Sequence, residues 1–356
     1  MSTGQRGRAV TIDDVAARAG VSRSAVSKVI RGAYGVSAAM MDRVTTAIED
    51  LEYRPRVSAR GMRGSTYTFG LEIPDVFNQF FPKLIDGAMA QLAKDGSYQL
   101  VVAPADLNHI EVTRAIQALA DRQVDGLVAI TPMVDPEWLE RLSRRLPLVM
   151  LGRHDLSIGY DTLVGDDDLG ARLAVQHLIA QGHRNIAHVT LTEAIAESRP
   201  GLPHGIRCAT YRSAMEEAGL GEYIRVVRAE PGERAASVAA RDLLSGDDRP
   251  TAVFAAHDEP ALGVLRALDE LGLTTAQVAV VGYDDTEIAG HPRMSLTSVN
   301  QSGTAMGARA ITLLLERIAG RTTAAHEVME PRLMVRDSST QWHPTSRERR
   351  RAGHVN

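Results

Sequence analysis

Small polar and basic side chains fall on one side of a predicted short helix near the start of the chain. Arg23 and Lys28 could donate hydrogen bonds to guanine edges or phosphates, and Ala25 could contact a thymine methyl group. An ordinary helical hairpin with a solvated basic face is the alternative, because short helical pairs are common. The candidate DNA-contacting residues of this segment are Thr11, Ser22, Arg23, Ser24, Ala25, Ser27, Lys28 and Arg31.

Two short helices joined by a glycine turn are predicted to position these side chains. Thr11 is a suitable N-cap with Asp14 three residues later, which is a capping-box pattern. Gly20 suits the left-handed position that ends a helix, and Ser22 can cap the next helix. The pattern predicts a helix-turn-helix whose second helix can enter a major groove.

The charge of the chain is unevenly distributed. Residues 1–63 contain eleven Arg and Lys against six Asp and Glu, whereas the whole chain carries a net charge of −4. A small basic head on an acidic body is typical of a protein that binds nucleic acid at one end.

After residue 66, short apolar runs alternate with amphipathic helical patterns. This alternation predicts parallel sheets covered by helices on both faces. Residues 66–340 exceed what one core usually holds, so we expect two subdomains, with a break near 161–163 and a return crossing near 284–302. The candidate strands are Thr68–Ile73, Tyr98–Ala103, Gly126–Ile130, Leu148–Leu151, Ile186–Thr190, Ala252–Ala256 and Val278–Gly282.

The chain resembles the LacI/GalR family of bacterial transcription regulators. The resemblance is carried in the head by TIDDVAARAGVS, AVSKVIRG, VSAAMMDRV and YRP, and in the body by HLIAQGHRNIAHV, RCATYRSAMEEAG and VAVVGYDDT. It implies an N-terminal all-α helix-turn-helix head and an α/β periplasmic-binding-protein-like body of two doubly wound parallel-sheet subdomains. The expected divisions are a DNA-binding domain at 1–53, a hinge at 54–65, an effector-binding and dimerisation domain at 66–340, and a basic tail at 341–356.

The resemblance implies that the hinge becomes helical on operator DNA and wedges an apolar side chain into the minor groove. Met62 stands where the family has leucine, and an apolar wedge of this kind kinks the duplex. Tyr53, Arg56 and Arg60 are further expected DNA contacts, with Arg56 replacing the usual asparagine. A solvated basic linker is the alternative reading of this segment.

The resemblance also implies an effector site in the cleft between the subdomains. Asp284 directly follows a predicted strand, where parallel sheets place their ligands. A surface salt bridge remains the alternative for Arg207 and Asp284, as does core packing for the two phenylalanines. Gly152 and Pro74 occupy positions at which side chains of other family members contact ligands. The candidate effector-binding residues are Phe80, Phe81, Arg153, Arg207, His257, Asp284 and Gln301.

Several site classes find no support in the sequence. No GxGxxG, P-loop, HExxH or GxSxG motif occurs, so we expect no catalytic residues, no cofactor and no metal. The acidic run Asp166–Asp168 is explained by a helix N-terminus. Cys208 is the single cysteine, and the sequence shows neither a signal-peptide pattern nor an apolar run of membrane-spanning length, so we expect a cytoplasmic protein without membrane contact.

These observations predict a sequence-specific DNA-binding regulator, a repressor, that acts as a homodimer on a pseudo-palindromic operator in double-stranded DNA. A carbohydrate in the cleft is the expected effector. Regulation by a protein partner, or by a purine or other non-sugar metabolite, is the alternative. A sugar-binding protein of transport type and an enzyme are rival classes, and the basic head and the missing catalytic motifs count against them.

Overall fold

The computed structural model describes residues 10–30, 35–53, 65–76, 78–94, 96–105, 109–130, 134–196 and 201–341. The chain divides into two compact units, a head of residues 1–66 and a body of residues 67–356. The predicted hinge spans residues 54–65, of which 54–64 lie outside the described ranges.

In the described part of the head, three helices pack around a small apolar core. Thr11 caps the first helix: its hydroxyl accepts from the Asp14 amide at 3.4 Å, and the Asp14 carboxylate accepts from the Thr11 amide at 2.8 Å. Gly20 then ends this helix at φ 64°, so the predicted capping box and left-handed turn are confirmed. The helices are α1 (Ile12–Ala19), α2 (Arg23–Ile30) and α3 (Ala38–Asp50).

The body contains two six-stranded sheets with helices on both faces. The strands are β1 (Thr68–Ile73), β2 (Gln99–Pro104), β3 (Gly126–Ile130), β4 (Leu148–Leu151), β5 (Asp161–Gly165), β6 (Ile186–Leu191), β7 (Arg225–Ala229), β8 (Ala252–Ala255), β9 (Ala279–Tyr283), β10 (Thr297–Asn300), β11 (His326–Met329) and β12 (Arg332–Met334). The helices are α4 (Phe80–Leu92), α5 (His109–Asp121), α6 (Pro136–Ser143), α7 (Asp167–Ala180), α8 (Glu193–Ala196), α9 (Pro203–Glu217), α10 (Glu233–Ser245), α11 (Asp258–Glu270) and α12 (Gly303–Ile318), with short 3-10 turns at Gly221–Tyr223 and Asp337–Ser339.

The strand orders are β11-β5-β4-β3-β1-β2 in the first sheet and β12-β10-β9-β8-β6-β7 in the second. All neighbouring strands are parallel except β12, which runs antiparallel to β10. In each sheet, successive strands are added first in one direction and then in the other; the reversal lies between β1 and β3 in the first sheet and between β6 and β8 in the second. Ligands of such sheets bind at these switch points, beyond the carboxyl ends of the strands. The predicted fold class of two doubly wound subdomains is confirmed, with one antiparallel edge strand added.

The chain crosses between the two subdomains three times: at Asp166, between Asn300 and Gly303, and between Met329 and Arg332. The first crossing lies beyond the range 161–163, because Asp161 begins a strand of the first sheet. Its carboxylate is fully buried there, 2.7 Å from guanidinium nitrogens of both Arg317 and Arg321. The third crossing was not predicted.

Helices α4 and α12 pack closely in the first subdomain. A Cβ atom at Gly87 would lie 1.8 Å from the Thr304 carbonyl oxygen, and one at Gly307 would lie 1.9 Å from that of Leu84. Both glycines are therefore required by the approach of the two backbones. Among the described residues, no helix has the length and apolar character needed to cross a membrane.

Candidate functional site

The exposed face of α2, together with its N-cap, carries five of the twelve side chains expected to contact DNA. Ser22, Arg23, Ser24 and Lys28 are exposed and Ala25 is half-buried. The Ser22 hydroxyl accepts from the Ala25 amide at 3.2 Å, so this serine also caps the helix. The arrangement can present short side chains and two cations to a groove.

Two of the expected DNA contacts lie in the interior of the head. Ser27 was expected to point outward, but it is 6% exposed, because it shares the inner face of α2 with Val26 and Ile30 at helical spacing. Tyr53 is 9% exposed and belongs to the apolar core of the three helices. The structure therefore gives both residues a packing role.

Four further candidates, Arg31, Arg56, Arg60 and Met62, lie outside the described residues. Their roles stay predictions.

In the body, a buried ion pair joins α9 to the start of α7. Arg207 and Asp167 are 4% and 2% exposed at their side chains, and Arg207 Nε and Nη2 lie 2.8 and 2.7 Å from Asp167 Oδ1. Arg207 Nη1 also donates to the Ala256 carbonyl at 2.7 Å, at the end of β8. The Tyr283 ring covers the guanidinium, with its centroid 3.6 Å from Cζ, a cation–π contact.

The ion pair also contacts the first subdomain. His154, which follows β4, places Nε2 3.0 Å from Asp167 Oδ2. Burial would raise the pKa of Asp167, but Arg207 and His154 together hold it below its ordinary value. Burial would likewise lower the pKa of Arg207, and Asp167 raises it instead. Both groups are therefore charged near neutral pH.

A second carboxyl group lies at the end of β9. Asp284 is 4% exposed, and its Oδ1 accepts a hydrogen bond from Gln301 Nε2 at 2.5 Å. Burial raises its pKa to about 8, although Arg207 opposes the shift. Asp284 also has φ 100°, a left-handed conformation rare for residues with a side chain. Such backbone strain concentrates at functional sites.

The turn that carries Asp284 is fixed by Asp258 at the start of α11. Its carboxylate accepts from the Thr286 amide and hydroxyl at 2.7 and 2.8 Å and from the Ser298 hydroxyl at 2.6 Å. Burial raises the pKa of Asp258 to about 6, against these hydrogen bonds. Asp258 thus positions the turn.

His257 immediately precedes Asp258 and is 5% exposed. Burial lowers its pKa to about 3, and Arg207 adds to the effect. The structure therefore brings together four of the predicted effector-binding residues. We call Arg207, Asp167, Tyr283, His257, Asp284 and Gln301 the Arg207 cluster.

The other three candidates have local partners. Arg153 donates through Nε to Asp155 at 2.9 Å and through Nη1 to the Val134 carbonyl at 2.9 Å. Phe80 and Phe81 are both 8% exposed and belong to the apolar core of the first subdomain. The described contacts therefore favour an ion pair for Arg153 and packing for the phenylalanines.

Sequence reasoning missed Asp167, His154 and Tyr283. The run Asp166–Asp168 was explained as a helix N-terminus, and Asp166 does cap α7 by accepting from the Leu169 amide at 2.9 Å. The position of Asp167, two residues after β5, was an available signal similar to the one used for Asp284. Among the residues that the structure describes, no group of three His, Cys, Asp or Glu could hold a metal ion.

Comparisons with known proteins agree with both units. The pattern of bacterial regulatory proteins of the lacI family matches residues 11–56, and that of a periplasmic binding protein-like domain matches residues 175–339. The Ribose operon repressor of Escherichia coli K12 is 33% identical over 335 residues, covering 92% of this chain and 99% of the relative.

Two solved structures are also similar. The transcriptional regulator CelR–cellobiose complex has 32% identity and a TM-score of 0.65, covering 92% of this chain and 99% of that one. The lac repressor dimer bound to operator and an anti-inducer has 25% identity and a TM-score of 0.78, covering 94% of this chain and all of the other. The chain therefore belongs to the LacI family, and it is a DNA-binding transcriptional repressor with an effector-binding domain rather than an enzyme.

Proposed function

We propose that the chain represses transcription as a homodimer on a pseudo-palindromic operator and that a carbohydrate bound at the Arg207 cluster controls its operator affinity. Two heads related by a two-fold axis match two half-sites related in the same way. The exposed serines and cations of α2 read the major groove, and Met62 of the hinge enters the minor groove.

One observation carries the control mechanism: the Arg207 cluster includes residues of the segments that cross between subdomains. Asp167 follows the first crossing and contacts His154 of the first subdomain. Gln301 lies in the second crossing and donates to Asp284. A ligand that hydrogen-bonds Arg207 or Asp284 therefore acts on groups that define the angle between subdomains. Allosteric coupling of this kind is typically worth about 1–3 kcal/mol, or about 5- to 150-fold in affinity.

A sugar is the favoured effector class because the similar structure named above contains cellobiose and the curated relative controls a ribose operon. Hydroxyl groups also suit a cluster that combines a carboxyl, an amide and a guanidinium. Regulation by a protein partner, or by a purine or other metabolite, is the alternative outcome, motivated by Gly152 and Pro74.

The body offers a surface for the second copy. A groove of about 880 Å³ runs along α11, lined by apolar Leu262, Leu265, Ile288 and Met294 together with charged side chains. The solved lac repressor is a dimer. Sedimentation equilibrium should give a mass of twice the 38.5 kDa of the chain. A monomeric mass at micromolar protein concentration would contradict this part of the proposal.

The test begins by selecting binding sites from a random duplex library with the full chain. Affinity for the selected duplex is then measured at fixed salt, with and without D-ribose or cellobiose. Asp284→Ala should retain DNA affinity and lose the sugar response, whereas Asp242→Asn, at an exposed position on α10, should keep both. A sugar response that survives in Asp284→Ala removes this residue from the site.

The hinge is tested separately with Met62→Gly. Binding to the selected duplex should weaken far more than binding to unrelated DNA, because only the specific complex requires a kink. Equal losses on both duplexes would refute the wedge.

A further inference from the structure

Two histidine rings contact each other at the Arg207 cluster: His257, which belongs to the cluster, and His204. His204 is in the first turn of α9 and His257 is the N-cap residue of α11; their ring centroids are 5.3 Å apart with planes at 65°. The Nδ1 atoms of both rings are buried, and neither has a hydrogen-bond partner among the described residues. Buried polar atoms are nearly always hydrogen-bonded, so each unpartnered nitrogen calls for an explanation.

Strand β6 of the second sheet contains two more such atoms. His188 Nδ1 lies 2.9 Å from the Phe254 carbonyl oxygen and must donate to it, which leaves Nε2 as a lone-pair acceptor. Within the described ranges, neither this Nε2 nor Thr190 Oγ1 has a partner. Both residues belong to β6, beside the switch point between β6 and β8, where ligands bind.

The rings are uncharged near neutral pH. Burial lowers the pKa of His257 to about 3, and burial, followed by His257 and Arg207, holds the pKa of His204 well below its ordinary value. Each ring therefore presents one N–H donor and one acceptor, and hydroxyl groups can pair with both.

The cluster has little positive charge left for an anion. Asp167 lies 2.7 Å from Arg207 and balances its charge, and Asp284 beside it is mostly uncharged near neutral pH because burial raises its pKa to about 8. Arg207 has five N–H donors, so it can still donate to a ligand oxygen after these contacts. Lys83 of α4 donates to the main-chain carbonyl of Asp285, and a phosphate that recruited this cation would have to break that contact.

We propose that His204 and His257 together recognise hydroxyl groups of an uncharged polyhydroxylated ligand and that this cleft rejects the phosphorylated or carboxylated forms of the same ligand. The inference rests on the proposed effector site and makes it more specific, because it adds His204 as a residue that determines specificity. Hydroxyl groups donate to or accept from the ring nitrogens, whereas an anion would meet the Asp167 carboxylate and a guanidinium that this carboxylate already pairs.

The test uses the full chain and matched probes: D-ribose with ribose 5-phosphate, D-glucose with glucose 6-phosphate, and cellobiose. Calorimetric titration gives the Kd of each probe, and operator release is measured in parallel. We expect at least one uncharged sugar to bind, with its phosphate at least tenfold weaker.

Three variants separate recognition from packing. His204→Phe keeps a ring against His257 but removes the nitrogens, so the Kd of the sugar should rise about tenfold, as for a lost hydrogen bond. His204→Gln restores an acceptor and should recover most of the affinity. Asp242→Asn is the control, because Asp242 is exposed on α10 and its substitution should change nothing.

Tighter binding of a phosphate than of its parent sugar would overturn the inference, as would an unchanged Kd in folded His204→Phe. If that phosphate also releases operator, the proposed function stands and only the charge selectivity fails. If no probe binds at millimolar concentration, the assignment of these rings to a polyhydroxylated ligand is wrong, while selection of a specific duplex still decides the DNA-binding role.

Discussion

Glu72 provides a sharp test of the electrostatics of the first subdomain. It lies near the carboxyl end of β1 with no exposed surface, and its Oε2 accepts from the Ile130 amide at 3.1 Å. Its Oε1 has no partner in the described part of the chain. Burial raises the pKa from 4.5 to about 8, and the hydrogen bond from Ile130 only partly opposes this. The substitution Glu72→Gln keeps the shape and the acceptor but cannot ionise.

The sign follows from proton linkage. The unfolded chain releases the Glu72 proton above about pH 4.5, whereas the folded chain keeps it up to about pH 8. The contribution of this pKa difference to the stability of the folded chain is therefore fully present below pH 4.5 and is lost as the pH rises to 8. At about 1.4 kcal/mol per pKa unit, the whole shift corresponds to an upper bound of about 5 kcal/mol.

The assay is urea unfolding of the wild type, Glu72→Gln and Glu137→Gln at pH 5 and pH 8. Comparing variants at each pH cancels the contributions of the other titrating groups. The free energy of unfolding of Glu72→Gln, relative to that of the wild type, should increase by several kcal/mol from pH 5 to pH 8. Glu137, whose side chain is 86% exposed on α6, is the matched control and should show no such gain. If the advantage of Glu72→Gln is the same at both pH values, the carboxyl is not buried as an acid.

Two further predictions concern the stability of the body. Asp167→Asn should lower the free energy of unfolding of the body by about 3–5 kcal/mol, because Arg207 would remain buried without its partner. The control Asp168→Asn, at a 60% exposed side chain, should lower it by less than about 1 kcal/mol. Similar losses in both variants would contradict the pairing argument. Gly307→Ala should lower the urea midpoint, because its Cβ would lie 1.9 Å from the Leu84 carbonyl oxygen and would force α4 and α12 apart. The expected loss in the free energy of unfolding is about 1–3 kcal/mol or more. An unchanged midpoint would show that the helices separate without loss of stability.

The sequence predicted seven of the twelve strands that the structure describes; it missed two buried central strands, Asp161–Gly165 and Thr297–Asn300, and three edge strands. Thr68–Ile73, Gly126–Ile130 and Leu148–Leu151 have the bounds expected from continuous apolar runs, which are typical of parallel strands covered on both faces. Arg225–Ala229 carries arginines within an apolar run, and His326–Met329 alternates exposed and half-buried side chains. Both lie at sheet edges, where half-solvated strands lack the pattern of a central one.

The site was predictable where it depends on strand ends. Asp284 and His257 follow buried strands, so their place at the mouth of a sheet can be worked out locally. The pairing of Arg207 with Asp167 joins residues 40 positions apart and depends on how α7 and α9 pack, which no local pattern encodes. Ser27 shows the same limit in reverse, because its polarity predicted exposure while its helical position put it inside.

The three crossings also constrain how the body can be synthesised and divided. The first sheet is completed by β11, and its α4 face is covered by α12, both of which follow the second sheet's β10 in the chain. During translation, the first subdomain therefore cannot finish folding until residue 329 has emerged, by which time nearly all of the second is present. The two subdomains should fold interdependently, and a chain cut at Asp166 should yield two incomplete halves instead of two independent domains.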